Sequence, residues 1–203
     1  MHENVAFLVR NFSERGIELS VYKYALYNQK ILNNKSIIIC FNKTITDNGK
    51  KFDNVSRPLF EEQFKVFEIK YIEEITEIIT RENIAFSYVQ SHGFFRDFYK
   101  FENKKIWKNC QNTYHYVFGP MIRQGSDIRC VIGNHLNKKY KKKLAVLPYI
   151  VNHHINYGDL RKSLNINKEE FVVGRYGGES TFDIDFVKET IKCVLEQRKN
   201  ITF

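Results

Sequence analysis

Apolar, β-branched and aromatic residues gather in short runs at residues 5–9, 36–41, 65–69, 84–89, 113–118, 129–132 and 144–151. Within each run they follow one another without polar alternation, so no face is left wet. That pattern predicts strands buried on both faces, as in a parallel sheet. Between the runs the period changes. Ile17, Val21, Tyr24, Ala25 and Ile31 fall on one helical face, and Ile72, Ile75, Ile78 and Ile79 repeat at helical spacing. Strand alternating with helix predicts an α/β fold whose crossover helices cover a parallel sheet.

A polar stretch, residues 152–170, follows the last run and holds His153, His154, Gly158 and Asp159 before a short helical turn from Leu160 to Leu164. It reads as a linker after a domain of residues 1–151. Beyond it Phe171, Val172 and Val173 open a new strand, Val187, Ile191, Val194 and Leu195 mark a helix, and Ile201 begins another strand. One such βα unit cannot cover its own faces, so residues 171–203 read either as packing onto the first sheet or as the first βα unit of a second domain, cut short.

The chain has 203 residues, 43% of them apolar, which excludes a disordered or low-complexity polypeptide. Its 32 Lys and Arg against 23 Asp and Glu give a net charge of +9, which favours anionic partners such as phosphate, nucleic acid or acidic lipid. Cys40, Cys110, Cys130 and Cys193 lie far apart with no C-x-x-C pair, which fits reduced thiols and argues against structural zinc. No leader-like segment follows Met1 and no apolar run is long enough to span a bilayer, so the expected location is the cytoplasm.

Candidate chemistry concentrates in the loops after the strands, where helix N-termini and free amides converge. Gly16, in the loop after the first strand, either lets a ligand approach the backbone or merely serves a turn; the spacing of a dinucleotide-binding fingerprint is missing. Gln90-Ser91-His92-Gly93 precedes an aromatic segment, Phe94 to Phe101, suited to stacking on a sugar or to packing as a lid. His115 lies inside a strand-like run and is either a core residue or a base for a substrate hydroxyl. Lys138, Lys139, Lys141, Lys142 and Lys143 place five cations in six residues, either a solvated helix face or a contact for phosphate backbones or anionic membrane head groups. No feature supports sequence-specific nucleic-acid binding.

Gly174-Arg175 and Gly177-Gly178, after the strand that opens at Phe171, offer a guanidinium and exposed amides, an arrangement able to hold a diphosphate. Asp183 and Asp185 in the same stretch either form an Asp-x-Asp metal pair or cap the next helix, with Asp183 as N-cap and Asp185 complementing the helix dipole.

This order of elements resembles the GT-B glycosyltransferases of the group 1, family 4-like type: a Rossmann-like N-terminal acceptor domain, a linker, then a donor domain. The specific part of the resemblance is Leu147-Pro-Tyr-Ile-Val151, then Asp159-Leu-Arg-Lys-Ser-Leu-Asn-Ile166, then Phe171-Val-Val-Gly-Arg-Tyr-Gly-Gly178. It implies transfer of a sugar from a nucleotide diphosphate sugar to a glycan, lipid or protein acceptor, with no cofactor and no essential metal. Arg175 would neutralise the leaving diphosphate, with amides from Gly16, Gly177 and Gly178. His115 would orient the acceptor hydroxyl, and Ser91 and His92 would lie on the acceptor side. Two features depart from the family: Gly177-Gly178-Glu179 replaces the lysine that usually follows Gly-Arg, and the Glu-x7-Glu segment has no counterpart before Phe203. The chain alone is then expected to be catalytically incomplete. The alternative is a non-catalytic module that binds a glycan, a lipid or a partner subunit.

Overall fold

The computed structural model describes residues 2–14, 16–41, 54–91, 104–107, 109–118, 126–151, 158, 160–174 and 184–203. They form two compact units, Met1–Val151 and Asn152–Phe203.

The first unit is an α/β fold of the Rossmann-like kind, built on a seven-stranded sheet in which every described pairing is parallel. Its strands are β1 (Asn4–Val9), β2 (Lys35–Phe41), β3 (Lys65–Ile69), β4 (Ile84–Gln90), β5 (Gln111–Tyr116), β6 (Ile128–Val131) and β7 (Ala145–Val146). They lie in the order β3-β2-β1-β4-β5-β6-β7. The chain winds outward from β1 to β3, then returns to the other side of β1 and winds away. This reversal opens a crevice at the carboxyl ends of β1 and β4, the usual ligand position in such sheets.

Strand alternation sends Val5, Phe7 and Val9 to one face and Ala6 and Leu8 to the other. The first face packs against Val21 and Ala25 of α1 (Gly16–Leu32) and Phe60 of α2 (Arg57–Gln63). The second packs against Ile75, Ile78 and Ile79 of α3 (Glu74–Arg81), Trp107 of α4 (Lys104–Trp107) and Leu136 of α5 (Asn134–Tyr140).

Three expectations need correction. Ile31 is 71% exposed, because the last turn of α1 runs past the sheet before Asn33, at φ 56°, ends the helix. The strand expected over residues 144–151 stops at Val146: Leu147 still donates to the Val131 carbonyl, but Pro148 has no N–H to continue the ladder. The strand expected over residues 113–118 begins at Gln111 and ends at Tyr116, in register with β4 through Tyr88↔Thr113 and Gln90↔His115.

In the second unit, β8 (Phe171–Val172) pairs in parallel with β9 (Ile201–Thr202), and α6 (Asp185–Gln197) lies between them in sequence. Arg161 holds the approach to β8 by donating to the carbonyls of Asn167 and Glu170, at 3.0 and 2.8 Å. The Thr202 hydroxyl donates to the Glu170 carboxylate, tying β9 to the same turn. The N-cap of α6 is Ile184, which makes no side-chain cap, and Asp185 is the first helical residue. The capping role expected of Asp183 therefore falls to a residue that cannot fill it; Asp183 itself lies outside the described residues. No helix among the described residues is long and apolar enough to cross a membrane.

Candidate functional site

The loop from β1 into α1 is fixed from below. The Phe12 ring packs edge-on against Phe60 at 5.2 Å, and its carbonyl accepts from the Ser56 N–H at 2.8 Å. The Ser13 carbonyl accepts from the Ser56 hydroxyl at 3.0 Å, and the Arg10 carbonyl from the Cys40 thiol at 3.8 Å. With its carbonyls turned inward, the loop delivers the chain to Gly16, the first residue of α1. The opening N–H groups of that helix have no partner within it and carry the positive end of its dipole. A Cβ placed at Gly16 would meet nothing within 4 Å, so the open side of this glycine is not needed for packing.

Arg10 and Glu18, 7% and 3% exposed, flank this turn. Arg10 directly follows β1, and Glu18 lies in the first turn of α1. Each has a partner, as the burial of a charged side chain requires. The Glu18 carboxylate helps to raise the Tyr149 hydroxyl to about 12, after burial as the main cause. Tyr149 in turn accepts from the Gln90 amide at 3.1 Å, across 59 residues of sequence. Gln90 Oε1 and, after β1, Asn11 Oδ1 are buried without a hydrogen-bond partner. The edge thus combines a helix N-terminus with unpaired amide oxygens, which suits a polar, hydroxyl-rich or phosphorylated ligand.

Ser91, at the end of β4, is 8% exposed and faces β5. Its N–H donates to the His115 carbonyl and its hydroxyl accepts from the Val117 N–H, both at 2.9 Å. Replacing Ser91 with alanine should cost about 1 kcal/mol, measured by urea denaturation, because the Val117 N–H loses its acceptor.

His115 is fully buried in β5 under α1, between Tyr24 and Tyr88. Tyr88 lies 2.6 Å from Nδ1. Burial raises the Tyr88 phenol well above its ordinary value, so it stays protonated and donates to Nδ1, which leaves the ring proton on Nε2. Burial also lowers the His115 pKa to about 4; the Leu147 backbone pulls the other way, yet Nε2 has no partner in hydrogen-bonding geometry. The ring is neutral at physiological pH and in this conformation has no surface to offer an acceptor hydroxyl.

Cys40, Cys110 and Cys130 are buried and unpaired, with pKa values raised mainly by burial to about 12, 11 and 12, so none is a reactive thiol. Of the other residues singled out from sequence, His92, the aromatic segment after it, His153, His154, Arg175, Gly177 and Gly178 lie outside the described residues. Gly16, Ser91 and His115 belong to the first unit, Ser91 and His115 in direct contact. Arg10, Glu18, Gln90 and Tyr149 complete the edge. Arg10 was visible only as the first polar residue after an apolar run, and Tyr149 only as a member of the Leu147–Val151 segment, with nothing to mark its side chain.

No family model matches the chain, and comparison with curated proteins finds no match. Among solved structures, the chain is similar to a glycosyltransferase from Rickettsia africae ESF-5, with a TM-score of 0.66 and 14% sequence identity. The similarity covers 99% of this chain and 67% of the other. At that identity the likeness is one of fold.

Proposed function

We propose that the chain is a GT-B glycosyltransferase of the group 1, family 4-like type, or the N-terminal part of one. It moves a sugar from a nucleotide diphosphate sugar to an acceptor hydroxyl without an essential metal. The observation that supports this best is the fold, a parallel sheet whose order reverses at β1, shared over 99% of the chain with a glycosyltransferase. In this reading Arg175 neutralises the charge that develops on the leaving diphosphate. Gly177 and Gly178 contribute amides to the diphosphate, and in the first unit the N-terminus of α1 at Gly16 offers a positive end to an anion. Ser91 and His92 lie on the acceptor side. His115 acts there from beneath, orienting Ser91 through its carbonyl and Tyr88 through its ring.

Gly16→Ala tests the use of this edge. Alanine adds no clash and is the better helix former, so stability in urea should stay level or rise by up to ~1 kcal/mol. Affinity for nucleoside diphosphates, titrated calorimetrically in EDTA, should fall about tenfold as the methyl group blocks the approach to the amides. Unchanged affinity would reduce Gly16 to a turn residue.

A second reading is a non-catalytic module for a glycan, a lipid head group or a partner subunit; among the described residues none of α6 is buried, which leaves its apolar side chains available to a partner. Glycan binding without affinity for any nucleoside diphosphate would select it.

A further inference from the structure

We propose that the first unit binds one buried water molecule between His115 of β5 and Gln90 of β4, with Ser20 of α1 facing it from above. This goes beyond sugar transfer and does not depend on it.

His115 Nε2, Gln90 Oε1 and Ser20 Oγ are buried and have no hydrogen-bond partner. The fold brings them together. Gln90 and His115 are register partners on adjacent parallel strands, which lie about 4.8 Å apart, and alternation along β4 puts Gln90 on the α1 face with Tyr88. Tyr24 of α1 packs on both Tyr88 and His115, with ring centroids 5.2 and 6.1 Å away. Ser20 precedes Tyr24 by one helical turn on the same helix face, and Gln90 follows Tyr88 by two strand residues. Because α1 joins the parallel strands β1 and β2, it runs against their direction. A step of roughly 6 Å along each element therefore carries Ser20 and Gln90 to the same level.

The chemistry of the three atoms calls for one neutral group that both donates and accepts. Tyr88 donates to Nδ1, so His115 Nε2 carries the ring proton and needs an acceptor. The Gln90 amide N–H already donates to Tyr149 at 3.1 Å, so Oε1 needs a donor. These two needs are complementary, and a group between the side chains meets both. The Ser20 hydroxyl can donate to the same group. The Leu147 backbone, close enough to raise the His115 pKa but outside bonding geometry with Nε2, offers it a carbonyl.

A water molecule uses this set fully: it accepts from His115 and Ser20 and donates to Gln90 and Leu147. Buried waters make about three such bonds. An ion does not fit, because none of the three side chains carries a charge to offset it. A hydroxyl of a bulky ligand does not fit either, because His115 and Gln90 are fully buried. The water extends a polar chain from Tyr88 through His115 to Gln90 and Tyr149. It thereby fastens the segment 147–149, which Tyr24 also holds by donating to the Pro148 carbonyl at 2.6 Å. Gln90 is in this sense a positioning residue for Tyr149.

The test is nuclear magnetic resonance of the full chain with its histidines labelled with nitrogen-15, the His115 signal being assigned by its loss in His115→Gln. The proton should sit on Nε2 and show a cross-relaxation peak to a long-lived water. Ser20→Ala should keep the peak, which excludes relay through the serine hydroxyl, and Gln90→Met should lose it. The wild-type spectrum decides even if a variant fails to fold. A proton on Nδ1, a wild-type spectrum without the water peak, a coupling across a direct hydrogen bond from Nε2 to the Leu147 carbonyl, or a peak unchanged in folded Gln90→Met would each overturn the proposal.

Discussion

Replacing Arg175 with alanine should slow sugar transfer by about 10²–10³-fold, the loss typical of removing one group that stabilises transition-state charge. The chain reaches this residue from β8 through Gly174, beside which an added Cβ would meet no atom within 4 Å. In the proposed transfer the Arg175 guanidinium would bind the diphosphate through two parallel hydrogen bonds that strengthen as the sugar departs and charge accumulates on the leaving oxygen. The loss should therefore fall mainly on kcat, with a smaller change in KM. Arg175→Lys should recover only part of it, since an ammonium supplies charge without the planar fork. Equal turnover by wild type and the alanine variant would remove Arg175 from the reaction.

The second large effect is on stability and comes from His115. Its pKa is about 4 in the folded protein against an ordinary 6.5, with burial as the main cause. Above pH 6.5 the imidazole is neutral in both states and contributes no slope. As the pH falls from 6.5 towards 4, the unfolded chain takes up a proton that the folded chain refuses, so stability falls, and below the folded value the loss is complete. The total is on the order of 3 kcal/mol. His115→Gln should flatten this part of the curve, measured by urea denaturation across the range. Tyr88→Phe should keep the slope while lowering the whole curve by about 1–3 kcal/mol, because Nδ1 loses its donor.

The strands were legible because a parallel sheet buries both faces. Ser36 to Phe41, with three consecutive isoleucines, fits little else, and β2 forms there. Helix α3 was equally clear from Ile75, Ile78 and Ile79. Helices α2 and α5 were not, since each buries too little to leave a period: Phe60 alone in the first, Leu136 and Asn137 in the second. Capping was misread at α6 for a local reason, because the chain enters that helix one residue later than Asp183.

The site was legible only where function leaves a local mark. A glycine after a strand and a serine at the end of another drew attention to Gly16 and Ser91. Arg10 and Glu18 look like ordinary surface residues until the fold buries them. Gln90 and Tyr149 meet only when the path through β5, β6 and β7 brings the end of the first unit back to β4. The sequence near His115 suggested a strand, but its neutrality and its bond to Tyr88 follow from packing under α1.

Sugar transfer is tested most directly by incubating the product of the whole reading frame, with any residues it encodes after Phe203, with a panel of uridine, guanosine and adenosine diphosphate sugars in EDTA, with simple glycan and lipid acceptors, and measuring nucleoside diphosphate release. Acceptor-dependent release from one donor class, undiminished by the chelator, is the expected result. A folded polypeptide that releases none from any donor, or releases it only when manganese is supplied, would contradict it.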